Sequence, residues 1–463
     1  MINVEQVEKN LKVSYFDENG DVAFQIIPIE QEDFFEWVPY TVGKAEPSFK
    51  SWDGKLVQKK KAFFLNKWRI EEILMKQPDY IKEKIYSKND PKKFFVDIET
   101  EVDDEWPKPS VARHKVTAIS FAHDNMLAVL GTKPLLPVQI RNIEIKINKY
   151  LTDHNYPEIK FSYVYFKTEY DLLYSFFNKA IQKMPLITGW NFINFDWAYL
   201  VNRCRNLSID PSVAAVNGKL VGREELPMHR VVVDYMELYK KWDRVIFKDN
   251  NTLQYVATAA LGMGKIPYNG TLQDLYESDF EQYVYYNGVD SILVKLIDAK
   301  LSTMSTYLKL GNITKVEANR AFSPIAMAES VMTREFYGRN RIFPTIKNRN
   351  VNKTGYEGAF VFPPVKGIYD WVASFDFASL YPSIMRQWNM SPEAFMGKEA
   401  KKPDIENITY TASGAYFNDA EDSVFRTILT DFYGQRKSAK KQMFAVQNEI
   451  QELKKLKAEL EKI

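Results

Sequence analysis

The feature that most constrains this chain is a pair of acids two residues apart inside an apolar run, Phe94-Phe95-Val96-Asp97-Ile98-Glu99-Thr100. The run has the composition of a strand, and in a strand residues i and i+2 point to the same side of the sheet. Asp97 and Glu99 would then stand side by side and repel one another. A hard divalent cation with oxygen ligands, such as Mg²⁺, removes that repulsion. Taken alone, the pair is weak evidence and fits an exposed strand face better.

Three further residues join the pair. Asp196 ends the string Trp190-Asn191-Phe192-Ile193-Asn194-Phe195-Asp196, where a buried strand, Leu186 to Trp190, gives way to a helix. Acids at strand ends face open clefts, although an Asp here also suits a helix N-cap. Asp290 follows Tyr286 by four residues, which on a helix places phenol and carboxylate on one face. A core Tyr with an incidental surface Asp has the same spacing. Four carboxylates together fit a two-metal phosphodiesterase, whose ions lie roughly 3.5–4 Å apart, one activating water and the other stabilising the leaving oxygen.

The rest of the chain frames these residues. With 463 residues, two to four domains are expected. Residues 1–90 alternate apolar and polar positions in short runs, such as Val22 to Ile27, and read as a β-rich domain. Phe94–Ile98, Val116–Ala122 and Phe161–Phe166 read as strands, and Tyr170–Met184 as a helix with one apolar stripe. Strands followed by alternating strand and helix predict an α/β nuclease-like core. The segment from Leu301 to Lys347 reads as helical. A second β-rich unit is expected from Tyr356, with a strand running through Trp371-Val372-Ala373-Ser374-Phe375 to Asp376. A long helix starts near Phe425, with Ile450, Leu453, Leu456, Leu460 and Ile463 spaced three or four apart.

Charge and cysteine exclude several classes. Lys plus Arg total 62 against 60 acids, a net charge of +2, so contact with nucleic acid has to come from a local patch. The single cysteine, Cys204, rules out an intramolecular disulfide framework and fits a reducing compartment. No stretch approaches the roughly 20 apolar residues that span a bilayer, and the first residues lack the pattern of a signal peptide.

Three strings in order, Phe95-Val96-Asp97-Ile98-Glu99-Thr100, Asn191 to Asp196 and Tyr286-Asn287-Gly288-Val289-Asp290, resemble the motifs of the proofreading exonuclease of family B DNA polymerases. The resemblance implies that Asp97, Glu99, Asp196 and Asp290 bind two Mg²⁺ ions and that Tyr286 positions the attacking water. It assigns no catalytic role to Asp234. It also implies that Val216 to Val233 holds the place of the hairpin that moves a primer end between sites. Trp190, Phe192 and Phe195 are candidates for stacking on unpaired bases, with burial in the core as the alternative.

Downstream, Asp376-Phe377-Ala378-Ser379-Leu380-Tyr381-Pro382-Ser383-Ile384 looks like the first polymerase motif of the same family. That implies Asp376 as a catalytic metal ligand and Phe377 as a further one through its carbonyl. Ser379 and Leu380 would lie near the triphosphate, with Tyr381 against the sugar. Tyr356-Glu357-Gly358-Ala359 resembles the link between the two modules, with Tyr356, Gly358 and Ala359 touching the template strand; Ala359 in place of a second Gly resembles the T-even phage group. Arg436 and Lys440, four apart on the last helix, resemble the phosphate-gripping residues of the fingers of T-even polymerases.

An Asn-Ser-x-Tyr-Gly string and an Asp-Thr-Asp-Ser strand, both expected of the family, do not occur in the sequence. The expectation is therefore an α/β multi-domain chain. It comprises a β-rich N-terminal domain (1–90, rejoined by 303–347), a ribonuclease-H-like 3′→5′ exonuclease (91–302), a partial palm (348–422) and one fingers helix (423–463). Such a chain would act as one subunit of a split polymerase in the cytoplasm of a phage-infected bacterium. Its expected partners are primer–template and single-stranded DNA, a dNTP, a second chain that completes fingers, palm and thumb, and a sliding clamp reached through that chain. Two Mg²⁺ ions are expected at the completed polymerase site. A stand-alone exonuclease and a non-catalytic nucleic-acid-binding assembly module are the alternatives, opposed by the intact Asp376 motif and by the four carboxylates respectively.

Overall fold

The computed structural model describes residues 1–42, 49–103, 105–242, 250–345, 358 and 360–460. Tyr356, Glu357, Ala359 and Ile463 lie outside the described residues. The chain forms two compact units, Met1–Glu30 with Gln77–Ala328, and Gln31–Lys76 with Glu329–Ile463.

The first unit opens with an antiparallel three-stranded sheet, β1 (Val4–Val7), β2 (Asn10–Phe16) and β3 (Val22–Pro28). Its centre is a six-stranded mixed sheet built from β4 (Lys93–Thr100), β5 (Val116–His123), β6 (Met126–Gly131), β7 (Lys160–Tyr165), β8 (Leu186–Gly189) and β9 (Val231–Asp234), in the order β7-β6-β5-β4-β8-β9. β4 pairs antiparallel with β5 and parallel with β8. It is covered on both sides, which explains its nearly continuous apolar sequence. Phe94, Val96 and Ile98 pack into one core with Ile119, Leu172 and Phe176. Phe95, on the opposite face, packs into a second core with residues of α1 (Pro137–Thr152), α2 (Leu253–Leu261) and α3 (Phe280–Leu301).

Asp97 and Glu99 share the face of Phe95, so they lie under a helical layer and not on an exposed strand face; Glu99 is buried and Asp97 half-buried. The ladder between β4 and β5 shifts register after Glu99, an irregularity of the kind that terminates pairing beside functional clefts. α3 crosses this face as a helix buried through most of its length.

Gly288 allows the close approach of α3. A Cβ there would lie 2.8 Å from Cδ2 of Leu127 in β6, and Leu127 is itself fully buried. Gly288→Ala gains about 1 kcal/mol of helix propensity but overpacks the core at about 1–3 kcal/mol. A net destabilisation of about 1 kcal/mol is expected in urea unfolding, with an unchanged midpoint counting against this packing account.

In the second unit, Phe35–Pro39, Leu56–Lys61, Phe49–Ser51 and Arg341–Ile342 form a four-stranded sheet. Phe395–Lys398, Ala415–Asn418 and Ile408–Tyr410 form a three-stranded one. α4 (Leu380–Gln387) and α5 (Val424–Leu460) pack together: Nε of Arg426 donates to the carbonyl of Arg386 at 2.8 Å, and the Arg386 guanidinium lies 4.9 Å from the Tyr433 ring centre. The long last helix matches the sequence reading. The strand expected from Trp371 to Asp376 does not: this segment is irregular, and Trp371, Val372 and Phe375 are exposed. An apolar run becomes a strand only beside a partner that takes its backbone hydrogen bonds, and both sheets of the unit are made from other segments.

Candidate active site

The sequence places its acids on three elements that meet at one cleft. Asp97 and Glu99 come from β4 and Asp290 from α3, and one carboxylate oxygen of each lies within 4.8 Å of the others. Asp196 lines the same cleft, whose volume is about 490 Å³.

Local structure brings Asp196 there. β8 ends at Gly189, where a Cβ would lie 2.2 Å from the carbonyl oxygen of Val96. The chain then turns through Asn191, at φ +57°, into a π-helical turn, Ile193–Trp197. Such turns recur at functional sites. Asp196 does not cap the helix: its Oδ1 accepts from the backbone N–H of Ile98 at 3.1 Å, between the two acids of β4. Asp234, at the end of β9, supports the turn, accepting from the N–H groups of Ile193 (3.1 Å) and Glu237 (3.2 Å).

These acids are held in an environment hostile to negative charge. Burial, followed by the charges of Asp290, Asp196 and Glu99, raises Asp97 well above the ordinary carboxylate range. Burial and the charges of Asp290 and Asp196 push Glu99 up to about 8. Asp196 is likewise pushed up to about 8, mainly by burial, with Asp234 adding to the rise and the Ile98 N–H opposing it. Asp290 is raised less, because Lys265 and Tyr286 oppose its burial.

Lys265 was not legible as a site residue. Its Nζ lies 2.6 Å from Oδ2 of Asp290 and 3.1 Å from the Tyr286 hydroxyl. Burial works against its charge, but Asp290, Tyr286 and Asp97 outweigh it and hold its pKa above the usual lysine value. The signal available was Gly262-Met263-Gly264-Lys265 after an apolar helix: Gly262 closes α2 at φ +74°, turning the chain back. Tyr268, from the same loop, packs edge-on against Tyr286 with ring centres 5.2 Å apart.

Among the described residues lining the cleft, Lys265 is the one cation beside Asp97, Glu99, Asp196 and Asp290, and Oδ1 of Asp290 is buried without a hydrogen-bond partner. An acceptor in that state, among hard oxygen donors, fits a divalent cation of the Mg²⁺ class. Asp97, Glu99 and Asp290 are the residues placed to hold one, with Asp196 beside them.

Of the aromatic candidates, Phe195 and Trp190 line the cleft. Trp190 is half-buried and its Nε1 donates to the carbonyl of Asn251 at 2.9 Å. Phe192 is fully buried in the core behind β4 and is corrected from stacking candidate to core residue. Trp106, 75% exposed on the cleft wall, is an aromatic that the sequence reading missed. Within 216–233, Leu220–Val221 and Leu226–Pro227 pair as a short antiparallel hairpin.

The second cluster lies in the second unit. Asp376 is exposed, as are Phe377, Leu380 and Tyr381. Ser379, at φ +53°, precedes α4, and its Oγ accepts from Nη1 of Arg436 on α5 at 3.1 Å. The structure thus brings the Asp376 string and Arg436 together. Lys440 turns instead toward its helix neighbour Phe444, 5.6 Å from the ring centre. Gly358 is exposed. No helix among the described residues is long and apolar enough to cross a membrane.

Residues 62–236 match the exonuclease domain of DNA polymerase family B, and residues 325–457 match DNA polymerase family B itself. The chain is 32% identical over 384 residues to the DNA-directed DNA polymerase of Escherichia phage RB69, covering 76% of this chain and 42% of the relative. It is 26% identical over 509 aligned positions to that of Enterobacteria phage T4, covering 98% and 55%. It is 29% identical over 305 residues to the DNA polymerase delta catalytic subunit of Caenorhabditis elegans, covering 58% and 27%. The chain spans about half the length of the phage relatives it matches. It belongs to DNA polymerase family B, with relatives of the T-even phage type, and carries the family's ribonuclease-H-like exonuclease domain and part of its polymerase domain.

Proposed function

We propose that this chain is a 3′→5′ proofreading exonuclease acting on unpaired primer ends, and one half of a nucleotidyl-transfer site that a second chain completes. The observation that carries the first part is the convergence of Asp97, Glu99 and Asp290, with Asp196, around a buried carboxylate oxygen that lacks a partner. Asp97, Glu99, Asp196 and Asp290 would hold two Mg²⁺ ions, which supply water activation and stabilisation of the leaving oxygen. Lys265 holds Asp290 in place, and the Tyr286 hydroxyl, on the same helix face, orients the attacking water. Trp106 and Phe195 offer ring faces on which the last bases of a single strand stack.

Polymerisation rests on the second cluster. Asp376 and the Phe377 carbonyl would serve as metal ligands, again for two Mg²⁺ ions. Arg436, bonded to Ser379, would meet the triphosphate of the dNTP, with Leu380 and Lys440 nearby and Tyr381 against the sugar. Tyr356, Gly358 and Ala359 would touch the template. Among the described residues Asp376 joins no cluster of three metal-ligating side chains, and the Asp-Thr-Asp-Ser string is not in the sequence. In this reading the remaining acids would be supplied by a second chain, through which a sliding clamp would also be reached. The domain limits proposed are 1–90 with 303–347, 91–302, 348–422 and 423–463, and the setting proposed is the cytoplasm of a phage-infected bacterium.

The test is incubation of the full chain with Mg²⁺ and a 5′-labelled primer–template, with and without dNTPs. Shortening without extension is the expected result. Extension by this chain alone would reject the split site and leave the exonuclease standing. A primer left intact, even when single-stranded, would reject the exonuclease reading for the isolated chain.

A further inference from the structure

Within Tyr286-Asn287-Gly288-Val289-Asp290, the proposed function uses Tyr286 and Asp290, and the packing of α3 on the sheet uses Gly288. Asn287 is left over, yet it is fully buried. Its Nδ2 donates to Oδ2 of Asp97 at 2.8 Å, and its Oδ1 is buried with no hydrogen-bond partner. A buried amide with one end unsatisfied carries a cost, so the end that is satisfied has to matter to the fold or to the site.

The surroundings favour the site. Ser120 stands opposite Asp97 in the β4–β5 ladder. Its Oγ donates to the backbone carbonyl of Asn287 at 2.9 Å and lies 2.7 Å from Oγ of Ser291. Ser120 thereby fixes the rotation of α3 against the sheet at the residue whose amide reaches Asp97. The helix is already anchored there without the side chain of Asn287, which leaves the amide free to act on the carboxylate alone.

We propose that Asn287 is a positioning residue of the metal site: its amide N–H holds one oxygen of Asp97, so that the other is presented to a divalent cation. The inference rests on the exonuclease reading. Outer partners of ligating carboxylates typically contribute about 10–100-fold to metal affinity. Asn287→Ala removes the donor, and the near-isosteric Asn287→Leu removes it without leaving a cavity or adding a charge.

The experiment is calorimetric titration of Mn²⁺ into the full metal-free chain, with thermal unfolding of each variant as the control for folding. Excision of single-stranded DNA is then measured against Mn²⁺ concentration. Both variants are expected to bind Mn²⁺ at least about tenfold more weakly. Their KM for DNA should stay unchanged, and Asn287→Ala should recover most of its rate at saturating Mn²⁺. Binding by Asn287→Ala within twofold of the parent would overturn the positioning role while leaving the metal site intact. If Asn287→Ala fails to fold, Asn287→Leu decides by the same criterion. A parent chain that binds no Mn²⁺ would overturn the exonuclease reading and this inference with it, and Asp97→Ala in the same titration separates specific binding from loose surface binding.

Discussion

Asp97→Ala should lose excision of single-stranded DNA by about 10³-fold or more while making the metal-free protein harder to unfold. The first half follows from the chemistry proposed for the cleft. A metal-assisted site contributes several kcal/mol to the stabilisation of transition-state charge, and each 1.36 kcal/mol is tenfold in rate. Asp97 lies among the acids, and the charges of Asp290, Asp196 and Glu99 all bear on it. The second half follows from the same coupling. Without a cation these buried acids cost free energy, as repulsion where they are ionised and as forced protonation where they are not, and deleting one relieves its neighbours by more than the loss of the Asn287 hydrogen bond costs. Each kcal/mol of repulsion removed raises the unfolding temperature by about 2–4 °C in a unit of this size. Excision rate and thermal unfolding in EDTA check the two halves together. A structural acid would lose both, as expected for Glu169, which is paired with Arg203 at 2.7 Å and accepts from the N–H of Val116. Excision by Asp97→Ala within tenfold of the parent would reject the assignment.

The parts of this site that were legible in the sequence are those set by local periodicity. The two-residue spacing of Asp97 and Glu99 and the four-residue spacing of Tyr286 and Asp290 each fix a shared face once the element is known, and β4 and α3 formed as expected. Asp196 was placed in the cleft, but its bond to the Ile98 N–H was hidden, because that donor is free only where β8 ends. Lys265 lies 25 residues before Asp290 in the chain, and the loop that returns it depends on tertiary packing around Gly264 and Gln254. Phe192 and Phe195 were indistinguishable as aromatic letters, because a π-helical turn and not an α-helical one decides which of them faces the core. Trp371 to Asp376 failed for the converse reason: strand propensity was present, and a strand partner among the described residues was not.

The same electrostatics predict how the metal-free protein responds to pH. Glu99 and Asp196 are pushed up to about 8 in the folded chain, whereas unfolded carboxylates titrate at about 4. Between these limits the folded state keeps protons that the unfolded state has released. Their contribution is therefore fully present below the unfolded pKa and is lost progressively as pH rises from there through about 8. The slope is about 1.4 kcal/mol per pH unit for each proton so held. The amino group of Met1, lowered by burial to about 5, and His229, lowered by burial too, act in the opposite direction within this window, but Asp97, Asp290 and Asp234, also raised by burial, add to the fall. Carboxylates held low by partners, such as Glu72 beside Arg69, oppose it only at the acid end. In EDTA the unfolding temperature should thus peak near pH 5 and fall steadily to about pH 8, by about 2–4 °C for each kcal/mol. Saturating Mg²⁺ should flatten or reverse the fall, because a cation binds the deprotonated acids and takes over the work of the protons. A profile in EDTA that is flat or rising between about pH 5 and 8 would mean that these acids are already ionised in the folded chain. The repulsion from which the metal site was inferred would then be balanced by groups other than a cation.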